Sequence, residues 1–202
     1  MARPREFDEA EALDAAVACF ARRGLEATSI RDLASEMGLN CQSLYNTFGD
    51  KRTLFIRALE RYAVRFLHER IQRLERLPSP KAAVHAYLGE VIERSLADPD
   101  RRGCLIINSA LEVPPADAEL RATIAGYLGD IERFFLKRLE CAQASGEIPA
   151  NLSPPDTARL LFGVLLGLRV AARIRPERAL LEDIVRPALA LLDPSNTPSM
   201  KG

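Results

Sequence analysis

Apolar residues recur along the chain at intervals of three and four positions, the spacing that places side chains on one face of an α-helix. One long series shows this spacing clearly: Leu120, Ile124, Tyr127, Ile131, Phe135 and Leu139. No segment alternates β-branched and aromatic residues between turn signals, which is the pattern of a strand. The hydrophobic pattern therefore predicts an all-α protein.

Prolines and capping residues predict where these helices begin and end. Proline interrupts helix interiors, and its clusters at 78–80, 114–115 and 154–155 separate long segments that lack it. About nine helices are predicted, over residues 7–23, 30–37, 41–47, 51–76, 80–97, 103–112, 116–145, 156–173 and 177–192. Pro187 lies inside the last predicted helix, and we expect it to kink or split that helix.

Composition narrows the class of protein and its location. The chain has 202 residues, enough for one domain or two small ones, and its 28 basic residues equal its 28 acidic ones. This balance excludes nucleic-acid binding through bulk charge, so any such site must be a local patch. The apolar stretch Leu160–Leu168 is too short to span a bilayer, and the N-terminus lacks the apolar core of a secretory signal. We therefore expect a cytoplasmic protein without a membrane partner, whose four cysteines are reduced.

Residues 29–48, SIRDLASEMGLNCQSLYNTF, combine two short predicted helices with a turn between them. Gly38 can adopt the left-handed conformation of the turn, and Asn40 can cap the second helix. Leu44 and Phe48 lie four positions apart and share the inward face of that helix. Its polar residues then lie on the other faces: Gln42, Ser43, Tyr45, Asn46 and Thr47. This layout is typical of a helix-turn-helix, and these side-chain types suit contacts to base edges and phosphates.

Two observations leave other functions open. Two short helices joined at a glycine occur in many all-α proteins, and residues 26–55 hold four acidic side chains against three basic ones. Phosphate binding would then depend on individually placed cations, with Arg3 and Arg5 as candidates near the N-terminus. A helical small-molecule-binding protein and a protein–protein adaptor, both without DNA function, remain alternatives.

Within about the first 65 residues, one set of positions follows a specific pattern: Ala15, Phe20, Arg23-Gly24, Thr28-Ser29-Ile30, Asp32-Leu33-Ala34, Gly38-Leu39, Ser43-Leu44-Tyr45-Asn46-Thr47-Phe48, Lys51 and Leu54-Phe55. This set resembles the DNA-binding domain of the TetR (tetracycline-repressor-like) family. Members of that family are homodimeric regulators, mostly repressors that a small molecule releases from DNA. The resemblance therefore implies a ligand-responsive transcriptional regulator that binds double-stranded, palindromic operator DNA.

The resemblance also implies which residues contact DNA and how the chain is divided. Phosphate contacts are implied for Thr28, Ser29 and Lys51, and base contacts for Gln42 and Ser43. The whole implied set is Thr28, Ser29, Arg31, Cys41, Gln42, Ser43, Tyr45, Asn46, Thr47 and Lys51, in which Tyr45 and Asn46 contact either bases or the backbone. We expect a helix-turn-helix domain over residues 1–50 and a ligand-binding and dimerisation domain over 51–202, with the helix over 51–76 as connector.

A ligand cavity is expected among the predicted helices between residues 51 and 145. The candidate lining residues lie on the apolar faces of these helices: Tyr62, Phe66, Leu88, Cys104, Asn108 and Tyr127. Asn108 lies in an apolar helix and needs a hydrogen-bond partner, either a ligand or a neighbouring backbone group. The expected effector is small and mostly apolar, with one or two polar atoms.

The predicted helix over 156–173 is apolar on nearly all sides, which indicates packing on two faces. Gly163 and Gly167 form a small-xxx-small pair that permits a close helix crossing, either in a homodimer or inside the chain. We expect a four-helix homodimer interface built from this helix and the helix over 177–192. Its candidate residues are Leu161, Val164, Gly167, Leu168, Ile184 and Leu191.

Other kinds of site find little support in the sequence. Catalytic motifs are absent, and His68 and His85 are isolated without metal-ligand spacing, so we expect no enzymatic activity, metal or cofactor. Cys41 lies in the first turn of the predicted recognition helix, at its DNA-facing end, where an exposed thiol could be a target of oxidants. A small residue that fills the capping turn is the simpler interpretation of Cys41.

Overall fold

The computed structural model describes residues 8–193, and all regular structure over these residues is helical. Ten α-helices follow one another: α1 (Glu9–Arg23), α2 (Ile30–Glu36), α3 (Cys41–Phe48), α4 (Lys51–Tyr62), α5 (Glu69–Glu75), α6 (Pro80–Leu96), α7 (Leu105–Glu112), α8 (Ala118–Ala144), α9 (Pro154–Ile174) and α10 (Arg178–Ala190). A π-helical segment, Ala63–His68, joins α4 to α5. The predicted all-α class is confirmed.

Two predicted helices differ in detail from the observed ones. The predicted helix over 51–76 is continuous from 51 to 75, but its middle turn is the π-helical segment. Of the two effects expected at Pro187, the split is wrong, since α10 runs through it to Ala190, and the kink stays a prediction. Pro187 is exposed, and its neighbours Val185 and Ala188 are buried, so core packing on the opposite face holds the helix together.

Side chains that accept hydrogen bonds from main-chain N–H groups begin most of the helices. The predicted cap at Asn40 is confirmed, because its side chain accepts from Ser43 N at 2.8 Å, and Ser79 likewise caps α6 by accepting from Ala82 N at 3.0 Å. Gly38 adopts a positive φ of 66° between α2 and α3, as the turn requires. Local sequence signals therefore set these boundaries.

Residue contacts divide the chain into two compact units, of which unit 1 holds residues up to Phe66 together with Cys104–Ile124. In unit 1, α1 packs along α4, and Phe20 meets Phe55 edge-on with ring centroids 4.9 Å apart. Arg61 binds Asp14 through two hydrogen bonds of 2.9 Å, which also joins α4 to α1. The helix pair α2 and α3 is attached to this α1–α4 core.

Among the described residues, unit 2 holds Leu67–Gly103 and residues 125–193. Helices α6, α9 and α10 pack on one another. An aromatic cluster fills part of its core, since the Tyr87 ring lies 5.2 Å from that of Phe134 and 5.1 Å from that of Phe135. No helix of the described residues 8–193 is long and apolar enough to cross a membrane.

The expected domain boundary between residues 50 and 51 does not separate the two compact units, because unit 1 extends to Phe66 and also includes Cys104–Ile124. Helix α7 packs on α1 and α4, and unit 1 includes both α7 and the first residues of α8, up to Ile124. The expected functional division into residues 1–50 and 51–202 stays a prediction.

We predict that Phe135→Ala lowers the free energy of unfolding by about 3–5 kcal/mol, because it leaves a cavity beside two other aromatic rings. Urea unfolding followed by circular dichroism measures the change. Leu111→Ala is the control, since Leu111 is 80% exposed and its truncation should cost under about 0.5 kcal/mol. Equal stability of the two variants would contradict this account of the core.

Candidate functional site

Helices α2 and α3 form a helix-turn-helix around a small apolar contact. Leu33 and Leu44 are fully buried, and Phe48 is 2% exposed. The turn between the helices is closed by a hydrogen bond of 2.8 Å from Leu39 N to Ala34 O. The predicted inward face of α3, Leu44 and Phe48, is confirmed by this burial.

The outward face of α3 presents polar side chains to solvent. Gln42 and Asn46 are exposed, and Tyr45 keeps 49% of its surface exposed. Gln42 Nε2 donates to Asn46 Oδ1 at 2.9 Å, so the two amides form a pair one helical turn apart. Two adjoining amides of this kind can contact neighbouring base edges.

Three other candidates on α3 are less accessible. Cys41, Ser43 and Thr47 are each half-buried, because they flank the inward face. Ser43 also donates its main-chain N–H to the Asn40 cap. Cys41 is the first residue of the helix, and its thiol is free.

The cationic candidates lie around the recognition helix. Arg31 is exposed on α2. Lys51, the first residue of α4, is half-buried, and its Nζ donates to the carbonyl of Leu25 at 3.0 Å. This hydrogen bond holds the Lys51 ammonium group beside Leu25, in the loop between α1 and α2. Arg3 and Arg5 lie outside the described residues.

The expected phosphate contacts through Thr28 and Ser29 stay a prediction, and in this structure the donors of both residues have partners inside the protein. Thr28 is only 1% exposed, and its hydroxyl donates to Gly24 O at 2.5 Å. Ser29 caps α2, and both its hydroxyl and its main-chain N–H donate to Asp32 Oδ2, at 2.6 and 3.0 Å. Because these donors are already engaged inside the protein, both residues shape the start of α2 in this structure.

Two carboxylates in unit 1 have pKa values well below the ordinary value of an aspartate. The Ser29 hydroxyl and main-chain N–H, with Arg23 beside them, lower the pKa of Asp32 to about 2. The side chain of Arg52 binds Asp117 through two hydrogen bonds of 3.0 and 2.8 Å and lowers the pKa of Asp117 to about 2. Both carboxylates therefore remain ionised at neutral pH.

Sequence reasoning missed the partners that α7 and its following loop supply to this region. Asp117 binds Arg52, and Glu112 accepts a hydrogen bond from Leu25 N at 2.8 Å. These partners are separated by 65 and 87 positions in sequence. No local spacing signal could reveal such pairs.

The six ligand candidates are distributed over both compact units. Tyr62, Phe66, Cys104 and Asn108 belong to unit 1, whereas Leu88 and Tyr127 belong to unit 2. Tyr62, Leu88 and Cys104 are buried, and the other three candidates are half-buried. The Tyr62 and Phe66 rings lie 4.9 Å apart, and Cys104 precedes α7 as its cap residue. Their role as a ligand site stays a prediction.

The dimer candidates on α9 need one correction. Leu161 and Leu168 are fully buried within the chain, so they pack inside the bundle and present no surface to a partner. Val164 is half-buried, and Gly167 is exposed. A side chain added at Gly167 would meet no atom within 4 Å.

The two glycines of α9 belong to a stripe of exposed residues whose three apolar side chains the sequence analysis did not assign to this face. Its members are Leu160, Gly163, Gly167, Val170 and Ile174. Leu160 is 44% exposed, Val170 53% and Ile174 70%. Ile184 on α10 is half-buried, and Leu191, the residue after α10, is 43% exposed. An apolar stripe of this length is typical of a surface that binds another protein.

Within the described residues, no group of three or more His, Cys, Asp or Glu side chains could hold a metal ion. His68 Nε2 lies 2.9 Å from Asp130 Oδ2. Burial and the nearby Lys81 lower the pKa of His85.

The helix-turn-helix, with its buried anchors and exposed amides, defines a DNA-binding protein. Family models agree with this class: one described as bacterial regulatory proteins of the tetR family matches residues 12–58, and one described as the tetracyclin repressor-like C-terminal domain matches residues 80–187. The chain belongs to the TetR family of DNA-binding transcriptional regulators.

Similar proteins share most of the chain. The uncharacterised HTH-type transcriptional regulator YezE of Bacillus subtilis (strain 168) is 36% identical over 96% of this chain and all of its own. The HTH-type transcriptional repressor ComR of Escherichia coli (strain K12) is 31% identical over 91% of this chain and 87% of its own. A cysteine mutant of the regulator CifR, complexed with 26-bp double-strand operator DNA, matches 93% of this chain and 98% of its own at 34% identity, with a TM-score of 0.83.

We predict that the protein loses stability in acid between about pH 4 and pH 2, and that Asp117→Asn reduces this loss. The pKa of Asp117 in the folded protein is about 2, below its ordinary value of 3.8, so its stabilising effect is present above pH 4 and disappears as the pH falls through 2. Thermal unfolding from pH 5 to pH 2, followed by circular dichroism, measures the slope.

Glu60→Gln is the control for the acid experiment, because Glu60 is exposed on α4 and has no ion pair among the described residues. Its stability should follow that of the wild type at every pH. A slope as steep in Asp117→Asn as in the wild type would contradict the predicted role of the Arg52–Asp117 pair.

Proposed function

We propose that this protein is a homodimeric repressor that a small molecule releases from operator DNA. The observation that carries the proposal is the outward face of α3, where the Gln42–Asn46 amide pair and Tyr45 are exposed beside a rigid inward anchor. The relative ComR is named a transcriptional repressor, which supports repression over activation. The operator complex of CifR supports double-stranded DNA as the partner.

On DNA, each protomer places α3 in the major groove. Gln42 and Asn46 contact base edges, Ser43 and Tyr45 contact bases or the backbone, and Lys51 contacts phosphate. A two-fold dimer presents two such helices to half-sites about 34–36 Å apart or a multiple of that distance, so the operator is palindromic. Arg31 is available for a further phosphate contact, because it is exposed on α2.

The effector is small and mostly apolar, and it binds at ligand candidates of unit 1. Asn108 would supply the polar contact, while Tyr62 and Phe66 would supply apolar surface. Ligand binding changes operator affinity only by the difference in its affinity for the two states of the dimer, typically about 1–3 kcal/mol.

Homodimerisation occurs through the apolar stripe on α9 and its neighbours on α10. Gly163 and Gly167 leave open space on that stripe, which lets the same helix of a second protomer approach closely. Val164, Ile184 and Leu191 remain in the proposed interface because they are at least partly exposed. Leu161 and Leu168 support it from inside the bundle.

The proposal also covers location and activity. A regulator of this kind acts on DNA in the cytoplasm, as its similarity to bacterial regulators supports. It performs no catalysis and takes no cofactor, since its relatives are transcriptional regulators. The helix-turn-helix domain over residues 1–50 reads DNA, and residues 51–202 bind the ligand and the second protomer.

A mobility-shift experiment with the DNA upstream of the protein's own gene tests DNA reading. We predict that Gln42→Ala weakens binding to the specific site by about 1–3 kcal/mol and relaxes its sequence preference. Lys51→Ala should weaken binding to every duplex and reduce the salt dependence by about one unit, because it removes a phosphate contact. Circular dichroism confirms that each variant is folded.

Arg76→Ala is the matched control, since it removes an exposed cation from unit 2 and should leave DNA binding unchanged. Wild-type affinity in folded Gln42→Ala and Lys51→Ala would refute this assignment of the site. If the protein binds a partner protein but no duplex, the adaptor alternative is favoured. If it binds a small molecule but no duplex, the alternative of a helical small-molecule-binding protein is favoured.

We predict that Gly167→Leu converts the dimer to a monomer while the chain remains folded. The added side chain meets no atom of its own chain but blocks the close crossing of two α9 helices. Sedimentation at micromolar concentration measures the mass, and circular dichroism measures the helical content.

Gly126→Leu provides the control for this experiment, because Gly126 is also an exposed helical glycine with open space around it, but on α8. This variant should stay dimeric. A wild-type protein that sediments as a monomer would contradict the proposed interface.

A further inference from the structure

The last residue of α7 contacts the loop between α1 and α2. Glu112 Oε2 accepts a hydrogen bond of 2.8 Å from the main-chain N–H of Leu25. The preceding residue is Gly24, with a φ of 79°, and a Cβ built there would lie 2.4 Å from both oxygens of Glu112. The carboxylate therefore reaches Leu25 only because residue 24 has no side chain.

The same short segment is held from another side by the start of α4. Lys51 Nζ donates to Leu25 O at 3.0 Å, so both polar main-chain groups of Leu25 are engaged. Thr28 adds a bond to Gly24 O, immediately before α2 begins. Glu112 and Lys51, the proposed phosphate contact, therefore both bind Leu25.

A second contact joins the segment after α7 to α4. Arg52 donates to Asp117 at 3.0 and 2.8 Å and to Glu119 at 2.9 Å. Arg52 follows Lys51 directly in sequence. Residues 112–119 therefore hold the chain at Leu25, before the helix-turn-helix, and at Arg52, after it.

We infer that Glu112 is a positioning residue for DNA reading, whose hydrogen bond to Leu25 holds the loop, Lys51 and α3 in the arrangement that binds the operator. This inference rests on the proposed function. Glu112 lies four positions after Asn108, so α7 carries the proposed polar ligand contact and the Leu25 contact one helical turn apart. A displacement of α7 therefore acts directly on the loop that precedes α2.

A positioning role predicts that removing Glu112 weakens operator binding, whereas its negative charge alone predicts that removal strengthens it. A carboxylate near the DNA-reading helices repels phosphates, so its loss should strengthen DNA binding if it had no positioning role. A glutamine at this position loses the charge but keeps an oxygen that accepts a hydrogen bond from Leu25 N. An alanine loses both the charge and the acceptor.

The test compares Glu112→Ala, Glu112→Gln and wild type on the duplex upstream of the protein's own gene and on an unrelated duplex of equal length. We expect Glu112→Ala to bind the upstream duplex about five-fold more weakly, the effect of one ordinary hydrogen bond. Its affinity for the unrelated duplex should fall less, because base contacts are lost only on the specific site and the removal of a negative charge favours binding to any duplex. Glu112→Gln should bind the upstream duplex at least as tightly as wild type.

Glu60→Ala is the matched control, because it removes one exposed negative charge from unit 1 without a known hydrogen bond among the described residues. It reports the effect of charge alone. Thermal unfolding of all variants separates a loss of stability from a loss of DNA reading.

Three outcomes would overturn the inference or its basis. Glu112→Ala with wild-type or tighter operator binding, like Glu60→Ala, overturns the inference and leaves the proposed function intact. Equal losses on both duplexes, with lower thermal stability and no rescue by glutamine, show a structural role only and also overturn it. A wild-type protein that prefers no part of the upstream duplex refutes the proposed function itself.

Discussion

The burial of the inward face of α3 is the contact on which DNA reading depends. An isolated helix of eight residues is unstable in water, so Leu44 and Phe48 must anchor it to its neighbours. The Arg57 guanidinium lies 4.9 Å from the centre of the Phe48 ring and adds a contact from α4. Because one face of α3 supplies all the anchoring, the opposite face can carry Gln42, Tyr45 and Asn46 without loss of stability.

Polar contacts then set the position of the helices that the apolar core holds together. Asp32 and Ser29 engage each other at the start of α2, and Arg61 binds Asp14 between α4 and α1. The carbonyl of Leu25 accepts a hydrogen bond from Lys51, and its main-chain N–H donates one to Glu112. These two bonds connect α4 and α7 to the loop before α2. Individually such exposed bonds contribute little, but their geometry determines where the reading helix and its cations lie.

The apolar stripe of α9 shows the limit of reasoning from a hydrophobic pattern. A helix that is apolar on nearly all sides must pack on two faces, and the sequence indicated this correctly. Which residues belong to which face depended on the direction of the helix relative to α6 and α10. Leu161 and Leu168 turned out to be inside the chain, whereas Leu160, Val170 and Ile174 are on the outside.

By itself the sequence determined the all-α class, the approximate positions of the helices and the inward and outward faces of α3. These features follow from interactions within a few residues: helical periodicity, caps such as Asn40, and the turn at Gly38. The tertiary structure decided that Thr28 and Ser29 use their donors internally, that α10 continues through Pro187, and that Glu112 and Asp117 hold the DNA-reading helices. Those outcomes depend on partners up to 87 positions away or on packing against the core, for which the local sequence contains no signal.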